Sequence, residues 1–209
     1  LDKAERLEEP INESFEITRF NLSHLELEKQ PVDLCRMLQQ VVSEFAPMLG
    51  ERDLTCALEL PPSLAYDCDP DKLARVFNNI LKNAVAYSDP NTALEIDGSR
   101  QGDQVVLAFH NKGKPIPPHQ LETIFEKFYR LDSARSSQAG GAGLGLAIAR
   151  QIVTLHGGTI NARSDAARTP FTVPLPAPPG SPDGQNQHTK PYAFFSKPPS
   201  YQAPPGFSF

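Results

Sequence analysis

The segment Asp69-Pro-Asp-Lys-Leu-Ala-Arg-Val-Phe-Asn-Asn-Ile-Leu-Lys-Asn-Ala84 limits the possible folds more than any other. Asp69 is a helix-capping residue, and Pro70 takes the first helical position, where its missing N–H costs nothing. Leu73, Val76, Phe77, Ile80, Leu81 and Ala84 recur at helical spacing. A helix with one wide apolar face is predicted, and that face must be buried. Asn79 and Asn83, four residues apart, lie together beside it. Amides at the edge of a core need partners. Two such oxygens facing a cleft suit Mg²⁺ and, through it, phosphate; a pair of satisfied core amides is the alternative.

The flanking elements follow by the same logic. Asp33 reads as the cap of a helix whose apolar face holds Leu34, Leu38, Val41, Val42 and Phe45. Leu54 to Leu60 alternates as a strand and is closed by Pro61-Pro62. Strands are predicted at Ala93 to Ser99 and Val105 to His110, joined by a turn at Gly102-Asp103. Residues 111–118 read as a loop, 120–128 as a short helix and 132–142 as a mobile loop poor in apolar anchors. Leu144 to His156 reads as a buried helix stopped by Gly157-Gly158, and a hairpin follows at 159–163 and 171–175. Helices and strands mix without strict alternation, which predicts a two-layer α/β sandwich: a mixed sheet with helices on one face.

The two ends differ from this middle. Residues 1–30 are charged and carry an apolar stripe, Leu7, Ile11, Phe15 and Leu22, interrupted by Pro10, so they need a partner helix. The chain opens inside this stretch without an initiator Met and reads as a fragment. The core domain is placed at 31–176. Residues 177–209 are rich in Pro, Ser and Gly without a period, and are expected to be disordered. A net charge of −5 argues against nucleic acid as partner. No run of ~20 apolar residues is present, so no membrane contact by this chain is expected. Cys35, Cys56 and Cys68 form no CxxC pair and read as buried free thiols suited to a reducing cytoplasm. The five histidines form no metal-ligand cluster.

Three further segments carry chemistry. Asn111-Lys-Gly113-Lys-Pro-Ile116-Pro117 follows a strand; Gly113 allows close backbone approach to a flat ligand, and an amide at the strand end can bond a base edge. Gly140-Gly-Ala-Gly143-Leu144-Gly145-Leu146 runs into a helix N-terminus, where backbone amides and the positive dipole end favour an anion, though in neither the Walker nor the Rossmann spacing. His156-Gly-Gly158 reads as a helix stop.

In this order and spacing, the four segments resemble the N, G1, G2 and G3 boxes of the histidine-kinase ATPase domain, a member of the GHKL group. Phe125-Glu-Lys-Phe-Tyr-Arg130 is similar to its F box. The resemblance covers roughly residues 69–165. Residues 1–27 resemble the second helix of that family's dimerisation and phosphoacceptor hairpin, followed by its linker. The helix at 69–84 and Phe125 to Asp132 look like VanS-type vancomycin-resistance sensors. The resemblance implies an ATP and Mg²⁺ site in the GHKL fold. Asn83 would ligate Mg²⁺ with Asn79 beside it, and Tyr87, Ile116 and Tyr129 would lie near the nucleotide. Asn111 would meet the adenine amino group above Gly113, and Arg130 would reach toward the γ-phosphate. Residues 131–142 match the ATP lid; Gly141, Gly143, Leu144 and Gly145 match its hinge and phosphate cradle.

Some positions depart from the pattern. Asn111 stands where most members have Asp, Ala86 where a Lys is frequent, and Arg168-Thr-Pro170 where glycines usually precede Phe171. The resemblance also implies a protein-histidine kinase that is a homodimer at full length. Its partners would be its own hairpin and a response regulator, and its setting the cytoplasmic side of a membrane-bound sensor. None of His24, His110, His119, His156 and His188 has the expected acceptor setting, an acid beside a histidine on the first hairpin helix. Two alternatives remain: a GHKL ATPase of another branch, which would carry a glutamate base where Asn79 stands, and a silent adaptor that keeps the fold for protein binding.

Overall fold

A computed structural model describes residues 26–131, 143–165, 168–177 and 192–194, the last for backbone only. The expectations of a hairpin helix before residue 26 and of a mobile lid over 132–142, with Gly141 in it, lie outside the described residues. So does most of the C-terminal tail.

The chain enters through β1 (Gln30–Asp33) into α1 (Leu34–Glu44). The Asp33 carboxylate caps this helix, accepting from Cys35 N at 3.0 Å, and the same oxygen accepts from Leu64 N at 3.0 Å. All five apolar residues expected on its inner face are buried. A short α2 (Ala46–Glu51) leads to β2 (Thr55–Glu59), and β3 (Ala65–Cys68) pairs antiparallel with β1 in a small two-stranded sheet. Next comes α3 (Pro70–Tyr87), with Asp69 accepting from Lys72 N at 3.1 Å as its cap. The hairpin of β4 (Ala93–Gln101) and β5 (Gln104–Asn111) turns at Gly102, whose φ is +60°.

Instead of one helix over 120–128, two single 3₁₀ turns form at Pro118–Gln120 and Thr123–Phe125. Extended backbone at Glu126 and a φ of +65° at Phe128 stop any helix from continuing. Then follow α4 (Gly145–Leu155), β6 (Asn161–Ala162) and β7 (Thr169–Pro176). One more strand, β8 (Tyr192–Phe194), lies in the tail expected to be disordered, where three residues pair antiparallel with the edge of β2.

The main sheet runs β6-β7-β5-β4-β2-β8; β2 and β4 are parallel and the other pairs antiparallel. Along β4, β5 and β7 alternate residues are buried, among them Leu94, Ile96, Val105, Leu107, Phe109, Phe171, Val173 and Leu175. They meet the apolar faces of α1, α3 and α4 in one core, where Phe77 and Phe109 pack with ring centroids 5.8 Å apart. This is the expected two-layer sandwich. Each fully buried Leu, Ile or Phe contributes about 1.5–3 kcal/mol, so the layers hold together without disulfides.

Candidate functional site

Two helices bring the amides and the glycines together. Asp69, before α3, meets His156, after α4; Asn79, within α3, meets Gly145, the first residue of α4. The helices are therefore antiparallel neighbours. A Cβ on Gly145 would stand 3.5 Å from Asn79 Oδ1. The other amide atom, Asn79 Nδ2, is buried and has no hydrogen-bond partner among the described residues. A buried unpaired amide costs about 1–3 kcal/mol.

Beside it, α4 begins without a side-chain cap; Leu144 occupies the cap position and is itself buried. The first amides of the helix and its positive dipole end are thus available to an anion. Gly143, with φ +75°, sets the approach. A Cβ there would lie 2.8 Å from the Tyr129 carbonyl oxygen, and the Gly143 carbonyl accepts from Phe128 N at 3.0 Å. The 125–130 segment is so held against the entry to α4. Phe125 packs edge-on to Phe171, centroids 6.3 Å apart, which fixes that segment to the sheet. Tyr129 and Arg130 are half-buried.

One turn beyond Asn79, Asn83 is half-buried, and Tyr87 ends α3, 36% exposed. Gly113 crosses directly over this end. A Cβ on it would fall 2.0 Å from the Tyr87 carbonyl oxygen, and its backbone bridges to Ser88. The space beside its Cα is filled by protein backbone, so glycine is required there by the crossing itself. Asn111, last in β5, is buried, opposite Thr169 in the ladder. Ile116, also buried, donates its N–H to Ser164 Oγ at 2.8 Å, and that hydroxyl pairs with Thr169 Oγ1 at 3.0 Å. Ser164 and Thr169 escaped the sequence reading, because no local pattern marks a loop hydroxyl as a clamp on a loop nearly 50 residues earlier. No hydrogen bond joins Asn111 to Asn79 or Asn83 among the described residues.

His156 was also missed. In the sequence it is only the residue before a glycine stop, yet it is buried and bonded through both ring nitrogens. Burial holds its pKa below the usual histidine value, reinforced by the Lys29 and Lys72 cations and only partly offset by the bond to Ile152 O and the Asp69 carboxylate. His119 lies exposed on a 3₁₀ turn, and His24 and His188 are outside the described residues. His110 does have an acid partner, Asp97 Oδ2 at 2.6 Å, which sequence adjacency could not reveal. The pair is made across β4 and β5, not along a helix. Among the described residues no three His, Cys, Asp or Glu side chains converge to hold a metal, and no helix is long and apolar enough to cross a membrane.

The sequence profile of the histidine kinase-, DNA gyrase B- and HSP90-like ATPases matches residues 68–179. Sensor protein VanS of Enterococcus faecium is 54% identical over 179 residues, 86% of this chain and 46% of that protein. Sensor protein VanSC of Enterococcus gallinarum is 42% identical over 178 residues, 85% of this chain and 49% of that protein. The chain thus spans about half the length of these relatives. The fold is like that of the histidine kinase ThkA in a structure with the response regulator TrrA, with TM-score 0.68 at 23% identity, covering 85% of this chain and 49% of that one.

Proposed function

Because the chain belongs to the family of histidine kinase-, DNA gyrase B- and HSP90-like ATPases, we propose that residues 31–176 bind ATP with Mg²⁺ as the catalytic part of a VanS-type sensor histidine kinase. One observation carries this reading: the uncapped start of α4 stands against the partnerless amide of Asn79. A phosphate chain supplies acceptors for both. Asn83, one turn along the same helix, offers the oxygen for Mg²⁺, a cation that takes oxygen ligands and keeps several waters. Tyr87, Asn111, Gly113, Ile116, Tyr129, Arg130, Gly141, Gly143, Leu144 and Gly145 complete the proposed nucleotide site. As an amide, Asn111 accepts a hydrogen bond with less charge assistance than the aspartate most members carry.

Bound ATP supplies the γ-phosphoryl group; the chain's part is to orient it and to neutralise its charge, with Arg130 toward the γ-phosphate. In the whole protein the acceptor is a histidine of a dimerisation hairpin, and the next acceptor an aspartate of a response regulator. The 54% identity to VanS supports a role in vancomycin resistance, and the ThkA–TrrA structure supports a response-regulator partner. The reading extends to a whole protein that is a dimeric membrane sensor with this part in the cytoplasm, a reading that the likeness to sensor proteins supports. Asn79 occupies the place of the water-activating glutamate of hydrolytic relatives, which favours transfer over hydrolysis.

Calorimetric titration with ATP tests the site. Binding should require Mg²⁺ and fall at least tenfold in Asn83→Ala; equal binding by the variant refutes the assignment. Incubated alone with γ-³²P-ATP, the 209-residue chain should not label itself. Added hairpin should become labelled slowly, because an untethered acceptor lacks effective concentration. Acid-labile label on the chain alone would mean that one of its own histidines accepts.

A further inference from the structure

The nucleotide site depends on how α4 lies against α3, and that placement has a second point of attachment far from the ligand. His156 Nε2 accepts a hydrogen bond from Asp69 N at 3.1 Å, while Nδ1 donates to Ile152 O at 2.8 Å. The first bond crosses from the last turn of α4 to the cap of α3; the second fixes the ring plane on its own helix. Both residues are 3% exposed. Asp69 is itself a junction: its carboxylate accepts from Lys72 N and Glu28 N, each at 3.1 Å, and from Lys72 Nζ.

Distances along the helices make this attachment relevant. From Asp69 to Asn79 is ten residues, and from Gly145 to His156 eleven. At 1.5 Å per residue these spans are about 15 and 16.5 Å, so the antiparallel pair is tied at one end and meets the proposed phosphate site at the other. A bond that fixes the sliding of α4 along α3 also fixes the gap between Gly145 and Asn79.

We propose that His156 is a positioning residue for nucleotide binding: its ring pins the end of α4 to the cap of α3 and so holds Gly145 against Asn79. The inference rests on the ATP-site reading given above. It follows that only the ring with a bare Nε2 serves. A proton on Nε2 would face the Asp69 N–H, donor against donor. The charged groups around the ring are Lys29 from the linker and Asp69 and Lys72 from the start of α3. The two cations oppose that proton and the carboxylate favours it. Nucleotide binding and loss of the His156 proton are therefore coupled, and the coupling is reciprocal.

The test uses the 209-residue chain and Mg-ADP. Losing one such hydrogen bond should weaken binding about fivefold in His156→Leu at pH 7.5. His156→Gln, which keeps an acceptor, should bind like wild type and lose the fall in affinity that wild type shows as the pH drops toward 5.5. The unaltered chain gives an independent reading by NMR of the His156 ring. Saturating Mg-ADP should lower its titration midpoint by about 0.7 of a pH unit, the counterpart of a fivefold change. A midpoint that Mg-ADP leaves in place, or a His156→Leu variant that binds like wild type, overturns the inference and leaves the site reading intact. Failure of wild type itself to bind Mg-ADP at pH 7.5 overturns the site reading, and this inference with it.

Discussion

Gly113→Ala should be among the most damaging single-methyl additions in the domain. The new Cβ would fall 2.0 Å from the Tyr87 carbonyl oxygen and 3.1 Å from its carbon, atoms of backbone that cannot rotate away. Relief needs a movement of about 1 Å or more between the 111–117 loop and the end of α3. That movement strains the bridge between Ser88 and Gly113 and the bond from Asp89 N to Lys112 O, 2.8 Å long. Overpacking costs about 1–3 kcal/mol and a lost backbone hydrogen bond about 1 kcal/mol, so about 3 kcal/mol is expected. For a domain of this size that lowers Tm by about 6–12 °C. Gly50→Ala is the internal control. It lies in α2 with no heavy atom within 4 Å of the added Cβ, and should raise stability by up to about 1 kcal/mol. Thermal melts followed by circular dichroism would decide. If Gly113→Ala melts within about 2 °C of wild type, the crossing is not the rigid contact described, and glycine is there for another reason.

The site should respond differently from the scaffold. A Cβ on Gly145 makes only ordinary contact with Asn79 Oδ1, 3.5 Å away; Gly145→Ala should shift Tm by less than about 2 °C yet weaken Mg-ATP binding severalfold by calorimetry. Burial pushes the thiols of Cys35 and Cys56 up to about 12 and that of Cys68 to about 11. Ellman's reagent at pH 8 should therefore find none of the three in the native protein and all of them in denaturant. Acid should weaken the fold in two stages, read as denaturation midpoints across pH. His156, held below its ordinary 6.5, contributes stability that is complete above pH 6.5 and is lost as pH falls through its folded value. Burial alone would raise the Asp33 and Asp69 carboxyls, but the Leu64 and Cys35 amides, the Ser63 hydroxyl and Arg36 hold Asp33 below the ordinary 3.8, and the Lys72 side chain with the Lys72 and Glu28 amides does the same for Asp69. Their contribution is complete above pH 3.8 and lost below it. A flat profile from pH 7 to 5 would contradict the description of His156.

What could be read from the sequence was whatever repeats locally. The stripes of α1 and α3, the caps at Asp33 and Asp69 and the β4–β5 hairpin all depend on residues within a few positions of each other, and all stand where expected. Contacts across long separations could not be read this way. The pairing of β1 with β3 joins two four-residue strands some 35 residues apart, too short for a period to show. The Asp97 partner of His110 arises from strand register, thirteen residues away, and the Asp69 partner of His156 from helix packing, 87 residues away. Gly113 reads in the sequence as a position of close approach, but its crossing over the Tyr87 carbonyl, 26 residues earlier, does not show there.

That division also explains why the sequence points to residues of the proposed site but not to the contacts that assemble them. Asn79 draws attention in sequence because an amide beside a core stripe is costly, and the structure shows the cost as a buried NH₂ without a partner among the described residues. A fold built for stability alone would place a leucine there. The amide makes physical sense only with the start of α4 opposite it, and that meeting is arranged by Gly143 against Tyr129, Gly145 against Asn79 and His156 against Asp69. Each of these contacts joins residues from separate elements. The amides of the proposed site therefore sit on α3, while the contacts that place them against the glycines come from the two ends of α4.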